Sequence, residues 1–121
     1  MRRDPRAYLW DARRAAEAIA TFTQGKTFDD FSRDVLLRSA VERQFEIIGE
    51  ALSQLSRSDS EIAKKIADLP RIVAFRNILI HGYAVIDHAI VWRVVRENVP
   101  TLAGALAALL ADPGDTAKGS G

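Results

Sequence analysis

The sequence contains no cysteine and only one methionine among its 121 residues. The absence of cysteine excludes disulfide bonds, thiol catalysis and thiolate metal sites. Aromatic residues are also scarce, at 7%, and histidine occurs only twice, as His81 and His88. The simplest location for a chain of this composition is the cytosol.

Long apolar runs are missing as well. The longest candidate, Val99 to Ala111, is interrupted by Pro100 and Gly104 and is shorter than the roughly 18 residues that span a bilayer. No apolar block follows the basic segment Met1-Arg2-Arg3, so no signal peptide is predicted. We therefore expect a cytoplasmic protein without a membrane partner.

Neither sign of charge dominates, because the formal net charge is +1. Such a balance argues against a large surface that binds nucleic acid independently of sequence, but it leaves open a local basic cleft. The 48% hydrophobic and 27% charged residues are typical of a folded globular chain, and the length fits one domain.

Apolar residues recur at helical spacing almost everywhere, and we find no alternating strand pattern. The sequence therefore predicts an all-α antiparallel bundle of four main helices plus one short helix. The predicted helices cover about residues 5–23, 31–56, 60–66, 70–82 and 88–111, the last capped by Asp87. Residues 1–111 form the domain, and residues 112–121 are predicted to be a disordered tail.

Four residues carry specific packing predictions. Gly49, in mid-helix, predicts a close helix crossing, because glycine costs about 1 kcal/mol there against alanine. Pro100 should kink or split the last helix. Trp10 and Trp92 are predicted to be core anchors.

Arg76 and His81 are a sufficient pair for cleaving RNA without a metal. A histidine can remove the proton of a ribose 2′-hydroxyl or protonate the leaving 5′-oxygen. An arginine can bind the phosphate and stabilise the additional charge of the transition state. The expected products are a 2′,3′-cyclic phosphate and a 5′-hydroxyl.

The spacing of this pair presents a geometric difficulty. Five residues along a helix leave positions 76 and 81 roughly 140° apart around its axis. Either the helix unwinds at His81, beside Gly82, or a two-fold dimer supplies the complementary residue from a second copy. We favour the dimer. Each residue also has a structural alternative, since a histidine near a helix end often binds the last carbonyls and an arginine is often a surface ion-pair partner.

The run Arg76-Asn77-Ile78-Leu79-Ile80-His81-Gly82-Tyr83 resembles the R-x-x-x-x-H signature of the HEPN superfamily. The tyrosine two places after the histidine resembles the R-x-x-x-x-H-x-Y motif of HepT toxins. The segment from Phe45 to Ala51 is similar to the family's second-helix signature, and Val91-Trp92 with Pro100 is similar to its last helix. The resemblance extends over about residues 6–110.

The resemblance implies a dimeric, metal-independent ribonuclease toxin of a type VII-like toxin–antitoxin pair, with no cofactor. Arg76 and His81 would be catalytic and Asn77 a supporting polar group, and the substrate would be RNA, such as tRNA or mRNA. The partner would be an MntA-like minimal nucleotidyltransferase that silences the toxin by adding AMP to Tyr83. Such a bulky anion would compete with RNA phosphate for Arg76.

Two questions stay open at this level. Glu46 or Glu50 could hydrogen-bond Arg76 or His81 from the neighbouring helix, although a solvated acidic face is the simpler interpretation. The alternative function is a non-catalytic helical dimer that binds a nucleotidyltransferase partner or a nucleotide in the same cleft. His88 matches no motif and is predicted to be structural.

Overall fold

The structure, a computed structural model, describes residues 3–81 and 87–111. Within these ranges its regular elements are all helices and no strand is present, which confirms the predicted all-α fold class. The helices are α1 (Pro5–Thr23), α2 (Phe28–Arg33), α3 (Val35–Ser58), α4 (Ser60–Ala63), α5 (Leu69–His81), α6 (His88–Arg93) and α7 (Val99–Ala111), with a π turn (Val94–Asn98) between the last two. The predicted tail at 112–121 and the predicted helix end at Gly82 lie outside the described residues.

Local capping explains where α1 begins and ends. The Asp4 side chain accepts a hydrogen bond from the Arg6 backbone N–H at 2.9 Å, and Pro5 occupies the first helical position. Both features favour a helix start. Gly25 follows the helix with a φ of 73°, a backbone conformation that glycine adopts without steric cost.

The predicted start of the second long helix at residue 31 is wrong. A separate helix, α2, begins after Thr27, whose hydroxyl and backbone N–H exchange hydrogen bonds with Asp30 in a capping box. Asp34 then interrupts the helix with an extended backbone and caps α3 by accepting from the Leu37 N–H at 3.0 Å. The bundle therefore has two short helices, α2 and α4, beside its long segments.

The hydrophobic core lies where α1 crosses α3 and where α7 packs against α1, while α5 packs against α3. Its largest fully buried side chains are Phe31, Phe45, Leu9, Ile19, Ile48, Leu52, Leu55, Ile72, Leu106, Val41, Val91 and Val99. Trp92 is half-buried and stacks on Phe31, with ring centroids 5.1 Å apart. Trp10 is 52% exposed, so its predicted role as a core anchor is wrong.

The backbone hydrogen-bonding pattern of the last helical segment changes just before Pro100. Proline at position 100 has no N–H, and its ring would clash with a carbonyl one turn earlier. The π turn widens the helix just before it, and the Val99 N–H donates to the Val94 carbonyl, five residues back. The predicted disturbance at Pro100 thus takes the form of a π turn.

The apolar helical segment at this end of the chain is longer than the run predicted from the sequence, Val99 to Ala111. Counted from His88 to Ala111, the continuous helical segment has 24 residues and a mean hydropathy of 1.3 in its most apolar window, enough to cross a membrane by length and composition alone. Core helices of soluble proteins meet the same criterion. One face of this segment contributes Val91, Val95, Val99, Leu102 and Leu106 to the core, and its other residues are half-buried or exposed.

Candidate active-site cleft

Gly49 allows α5 to approach α3 closely at Arg76. A Cβ atom at position 49 would collide with Cβ and Cγ of Arg76 and lie 3.0 Å from its Cδ. The aliphatic part of the arginine therefore lies directly on the backbone of α3. Phe45 lies one turn before Gly49 on α3, and Phe75 precedes Arg76 on α5. Their rings meet edge to face, with 5.1 Å between centroids. The close crossing predicted at Gly49 is confirmed, and its effect is to place Arg76.

The Arg76 guanidinium is held on its outer edge by two acceptors. Its Nη2 donates to Oε2 of Glu50 at 3.2 Å, and its Nη1 donates to Oδ1 of Asn77 at 3.2 Å. Its Nε is buried and has no hydrogen-bond partner among the described residues. The arginine side chain is 28% exposed. Arg76 is therefore restrained by two hydrogen bonds and remains partly exposed where it lines the cleft described below.

Glu50 bridges Arg76 and a third polar side chain. Its Oε1 accepts a hydrogen bond from Nε2 of Gln54 at 3.2 Å, while its Oε2 binds the arginine. Glu46 instead pairs with Arg43, with 3.3 Å between Oε1 and Nη1. Of the two carboxylates left open by the sequence, Glu50 is the one that contacts Arg76.

His81 is the last residue of α5, and the helical backbone continues through it. No unwinding precedes this position, so the roughly 140° between positions 76 and 81 persists in the backbone. The structure brings Arg76 and Asn77 together. It does not describe the His81 side chain, and Tyr83 lies outside the described residues.

Arg76 opens into a cleft of about 480 Å³ between α1 and α3. Its lining was not predicted, because the sequence carries no signal for which faces of two distant helices meet. The lining residues are Arg3, Tyr8, Asp11, Arg43, Glu46, Ile47, Glu50, Ala51, Gln54 and Arg76. Three arginines thus meet here, but each pairs with a carboxylate, so the lining is neutral and not basic.

His88 lies apart from this cleft. Its ring meets Phe31 edge-on, with centroids 6.5 Å apart, and its Nδ1 is buried. Burial raises the pKa of Glu42, while the nearby His88 and Arg38 act to lower it. These contacts agree with the prediction that His88 is structural.

Among the residues that the structure describes, no group of three or more histidine, aspartate or glutamate side chains is arranged to hold a metal ion.

Comparison with known proteins decides the family. Residues 12–109 match the family described as "Ribonuclease HepT-like". The chain belongs to the HepT-like ribonuclease family. The match contains α3, α5 and the side of the cleft that these helices form, whereas Arg3, Tyr8 and Asp11 precede it. The predicted family resemblance is confirmed.

Relatives of similar length agree with this assignment. "Putative RNase MJ1380" of Methanocaldococcus jannaschii is 35% identical over 103 residues, which cover 84% of this chain and 92% of that protein. "Probable ribonuclease HepT" of Thermococcus cleftensis is 35% identical over 104 residues, covering 86% of this chain and 94% of the relative. No solved structure matches the chain.

Proposed function

We propose that this protein is the toxin of a type VII-like toxin–antitoxin pair, an endoribonuclease that needs no metal and that uses Arg76 and His81. The observation that carries the proposal is the position of Arg76, which lies on Gly49 and faces an open cleft with its guanidinium. A buried structural arginine would not present its charged end in this way. Membership of the HepT-like family supports the same function.

The reaction is a transesterification followed by release of the leaving strand. The ribose 2′-oxygen forms a bond to the adjacent phosphorus, and the bond from phosphorus to the 5′-oxygen breaks. His81 serves as the group that takes up or delivers a proton. Arg76 stabilises the negative charge on the non-bridging oxygens. The products carry a 2′,3′-cyclic phosphate and a 5′-hydroxyl.

Substrate binding must exchange one anion for another at Arg76. The Arg76–Glu50 pair is partly exposed, with 52% exposure of the glutamate side chain, and such pairs contribute about 0–1 kcal/mol. A phosphate offers a bidentate, charge-assisted contact of greater strength. RNA phosphate can therefore replace Glu50 as the partner of the guanidinium, with Asn77 as a supporting polar group.

A two-fold homodimer completes the proposed site. Because α5 stays helical through His81, one copy does not place positions 76 and 81 on one face of the helix. A second copy of α5, related by a two-fold axis, supplies the complementary residue.

The proposed regulator is an MntA-like nucleotidyltransferase that acts in the cytoplasm. The Tyr83 hydroxyl attacks the α-phosphate of ATP, AMP is attached to the phenolic oxygen, and pyrophosphate leaves. The new phosphate is an anion two residues from His81, so it competes with RNA for Arg76.

The test compares wild-type protein with His81→Ala on total tRNA and on mRNA in EDTA, followed by analysis of the product ends. We expect cleavage by wild type, cyclic phosphate ends, and no cleavage by His81→Ala. His88→Ala is the matched control, because it removes the other histidine, and it should still cleave. If wild type does not cleave while intact mass shows Tyr83 unmodified, a non-catalytic module for a nucleotidyltransferase or a nucleotide takes the place of the toxin.

A further inference from the structure

The cleft beside Arg76 has features that the proposed cleavage step does not use. Tyr8 and Asp11 come from α1, whereas Arg43 and Gln54 come from α3. Among the lining residues, Arg76 is the one that the proposed cleavage step uses to bind the reacting phosphate. The remaining side chains extend the cleft away from α5.

The size of the cleft selects the kind of ligand. Its volume of about 480 Å³ falls in the range of about 300–1,000 Å³ found for sites of small molecules. A site of this size accepts one nucleotide and excludes a double helix. A base can enter only when it is unstacked and unpaired, as in loops and single strands.

An aromatic platform lies in the cleft. The Arg3 guanidinium lies over the Tyr8 ring, 4.9 Å from its centroid, and its Nη1 is held by Asp11 at 2.8 Å. Nucleobases stack both on tyrosine rings and on guanidinium planes. The guanidinium covers the Tyr8 ring, which itself packs against the core. A base can therefore stack on the outer face of the Arg3 guanidinium, which Tyr8 and Asp11 hold in place, without being read for sequence.

Arg43 is a second exposed cation in the same cleft. Its side chain is 67% exposed, and its only partner among the described residues is Glu46 in the next turn of α3. Such an exposed pair is weak enough to be exchanged for a phosphate. Gln54 is coupled to Arg76 through the two oxygens of Glu50, and all three residues line the same cleft as Arg3 and Tyr8.

We propose that the cleft between α1 and α3 binds the single unpaired nucleotide next to the scissile phosphate of RNA. Its base stacks on the outer face of the Arg3 guanidinium, which Tyr8 supports from beneath, and its phosphate contacts Arg43. This inference rests on the proposed function, because the neighbouring phosphate is the one that Arg76 binds. The neutral lining limits the number of phosphates held, so the salt dependence of binding should correspond to only about one or two phosphate contacts per cleft.

The experiment measures binding separately from cleavage. The probe is a short, fluorescently labelled 2′-O-methyl oligonucleotide, single-stranded or in a duplex, which lacks the nucleophilic 2′-hydroxyl and so survives the wild-type protein. We expect Tyr8→Leu to raise the Kd for the single strand about tenfold and Tyr8→Phe to restore it. The duplex should bind more weakly than the single strand.

Arg43→Ala keeps the inference testable even if Tyr8→Leu fails to fold, because Arg43 is exposed. It should raise the Kd severalfold. Arg33→Ala is its matched control, since Arg33 is an exposed arginine paired with Asp29 on α2, outside the cleft. Its Kd should equal that of wild type.

The outcomes separate this inference from the proposed function. Wild-type affinity in both folded Tyr8→Leu and Arg43→Ala, or no binding by wild type, overturns the inference. Cleavage of natural RNA that is equally fast in wild type and in these two variants also overturns it, while the ribonuclease function stands. Binding that depends on Tyr8 and Arg43, without any cleavage of natural RNA, supports the nucleotide subsite and removes the ribonuclease function.

Discussion

Glu42 and Glu50 lie on the same polar stripe of α3, eight residues apart, yet the structure gives them different neighbours. Glu50 faces α5, where it accepts a hydrogen bond from Arg76 at 3.2 Å and is half exposed. Glu42 lies near His88 at the start of α6, and burial raises its pKa. One carboxylate holds an arginine that faces the cleft, and the other is partly desolvated beside a histidine away from it.

The difference between the two carboxylates comes from the helices that pack against α3. The four-residue spacing of the stripe makes its glutamates equivalent along α3 itself. Gly49, next to Glu50, brings α5 close enough for contact, whereas Glu42 has His88, the first residue of α6, as a charged neighbour. The role of a charged residue on a helix surface is thus determined by its cross-helix neighbours.

The largest expected effect comes from closing the space that Gly49 provides. Gly49→Ala puts a methyl group against Cβ and Cγ of Arg76, so α5 must move away from α3. We expect a loss of about 1–3 kcal/mol in the free energy of unfolding and a fall in RNA cleavage, measured by denaturant titration and by initial rates.

Gly104→Ala is the matched control for this change. Gly104 lies inside α7, and a Cβ there meets no atom within 4 Å. Because alanine is the better helix former, this variant should gain up to about 1 kcal/mol and keep its activity. Equal effects of the two substitutions would contradict the close crossing.

A smaller effect is expected from removing the charge of Glu50. In Glu50→Gln the amide oxygen can still accept from Arg76, but no anion competes with RNA phosphate. We expect KM for RNA to fall about two- to fivefold, as suits an exposed ion pair, with kcat largely unchanged. Steady-state kinetics measures KM and kcat separately and so checks that only KM changes.

Glu17→Gln makes the same change of charge at a distance from the cleft. Glu17 pairs with Arg13 on α1, at 3.1 Å, and does not line the cleft. Its KM should match that of wild type at moderate salt. A fall in KM of the same size in both variants would show that the effect comes from the net charge of the protein. It would contradict competition between Glu50 and RNA phosphate for Arg76.

The smallest effect concerns Glu42 and the pH dependence of stability. A carboxyl group whose pKa is raised by folding favours the folded state most when it is protonated, so its contribution is lost as pH rises through the folded pKa. Glu42→Gln should therefore be slightly more stable than wild type at neutral pH. The difference should vanish below about pH 4, where the glutamate is protonated.

Thermal unfolding of the two proteins across this pH range checks the sign. A Glu42→Gln variant that is less stable at neutral pH would mean that attraction to His88 and Arg38 outweighs desolvation. The same unfolding measurement on Glu50→Gln shows what loss of a charge does at the more exposed of the two glutamates.

Most of the helices could be predicted from the spacing of apolar residues. The limits of α1 were predicted correctly because Asp4, Pro5 and Gly25 are local signals that act within one helical turn. The break at Asp34 was missed, since the apolar stripe continues across it. Trp10 was misplaced because an aromatic residue next to a core position can equally well lie on the surface against Arg14.

The candidate site was predictable only in part. Arg76, Asn77 and His81 belong to one short motif, so a single chain segment identifies them. The choice of Glu50 over Glu46 depends on which turn of α3 faces α5. The cleft with Tyr8 and Arg43 depends on the crossing of α1 and α3, for which the sequence has no local signal.

The sequence by itself determined the helical class and most helix limits, because these follow from local periodicity and capping. The family and its motif residues were predicted from resemblance to a known motif contained in one short segment. The tertiary structure alone decided that Gly49 supports Arg76, that Glu50 binds it, and that three ion-paired arginines line one neutral cleft. These contacts join helices far apart in the chain, and their geometry is set by how close two helix backbones can approach.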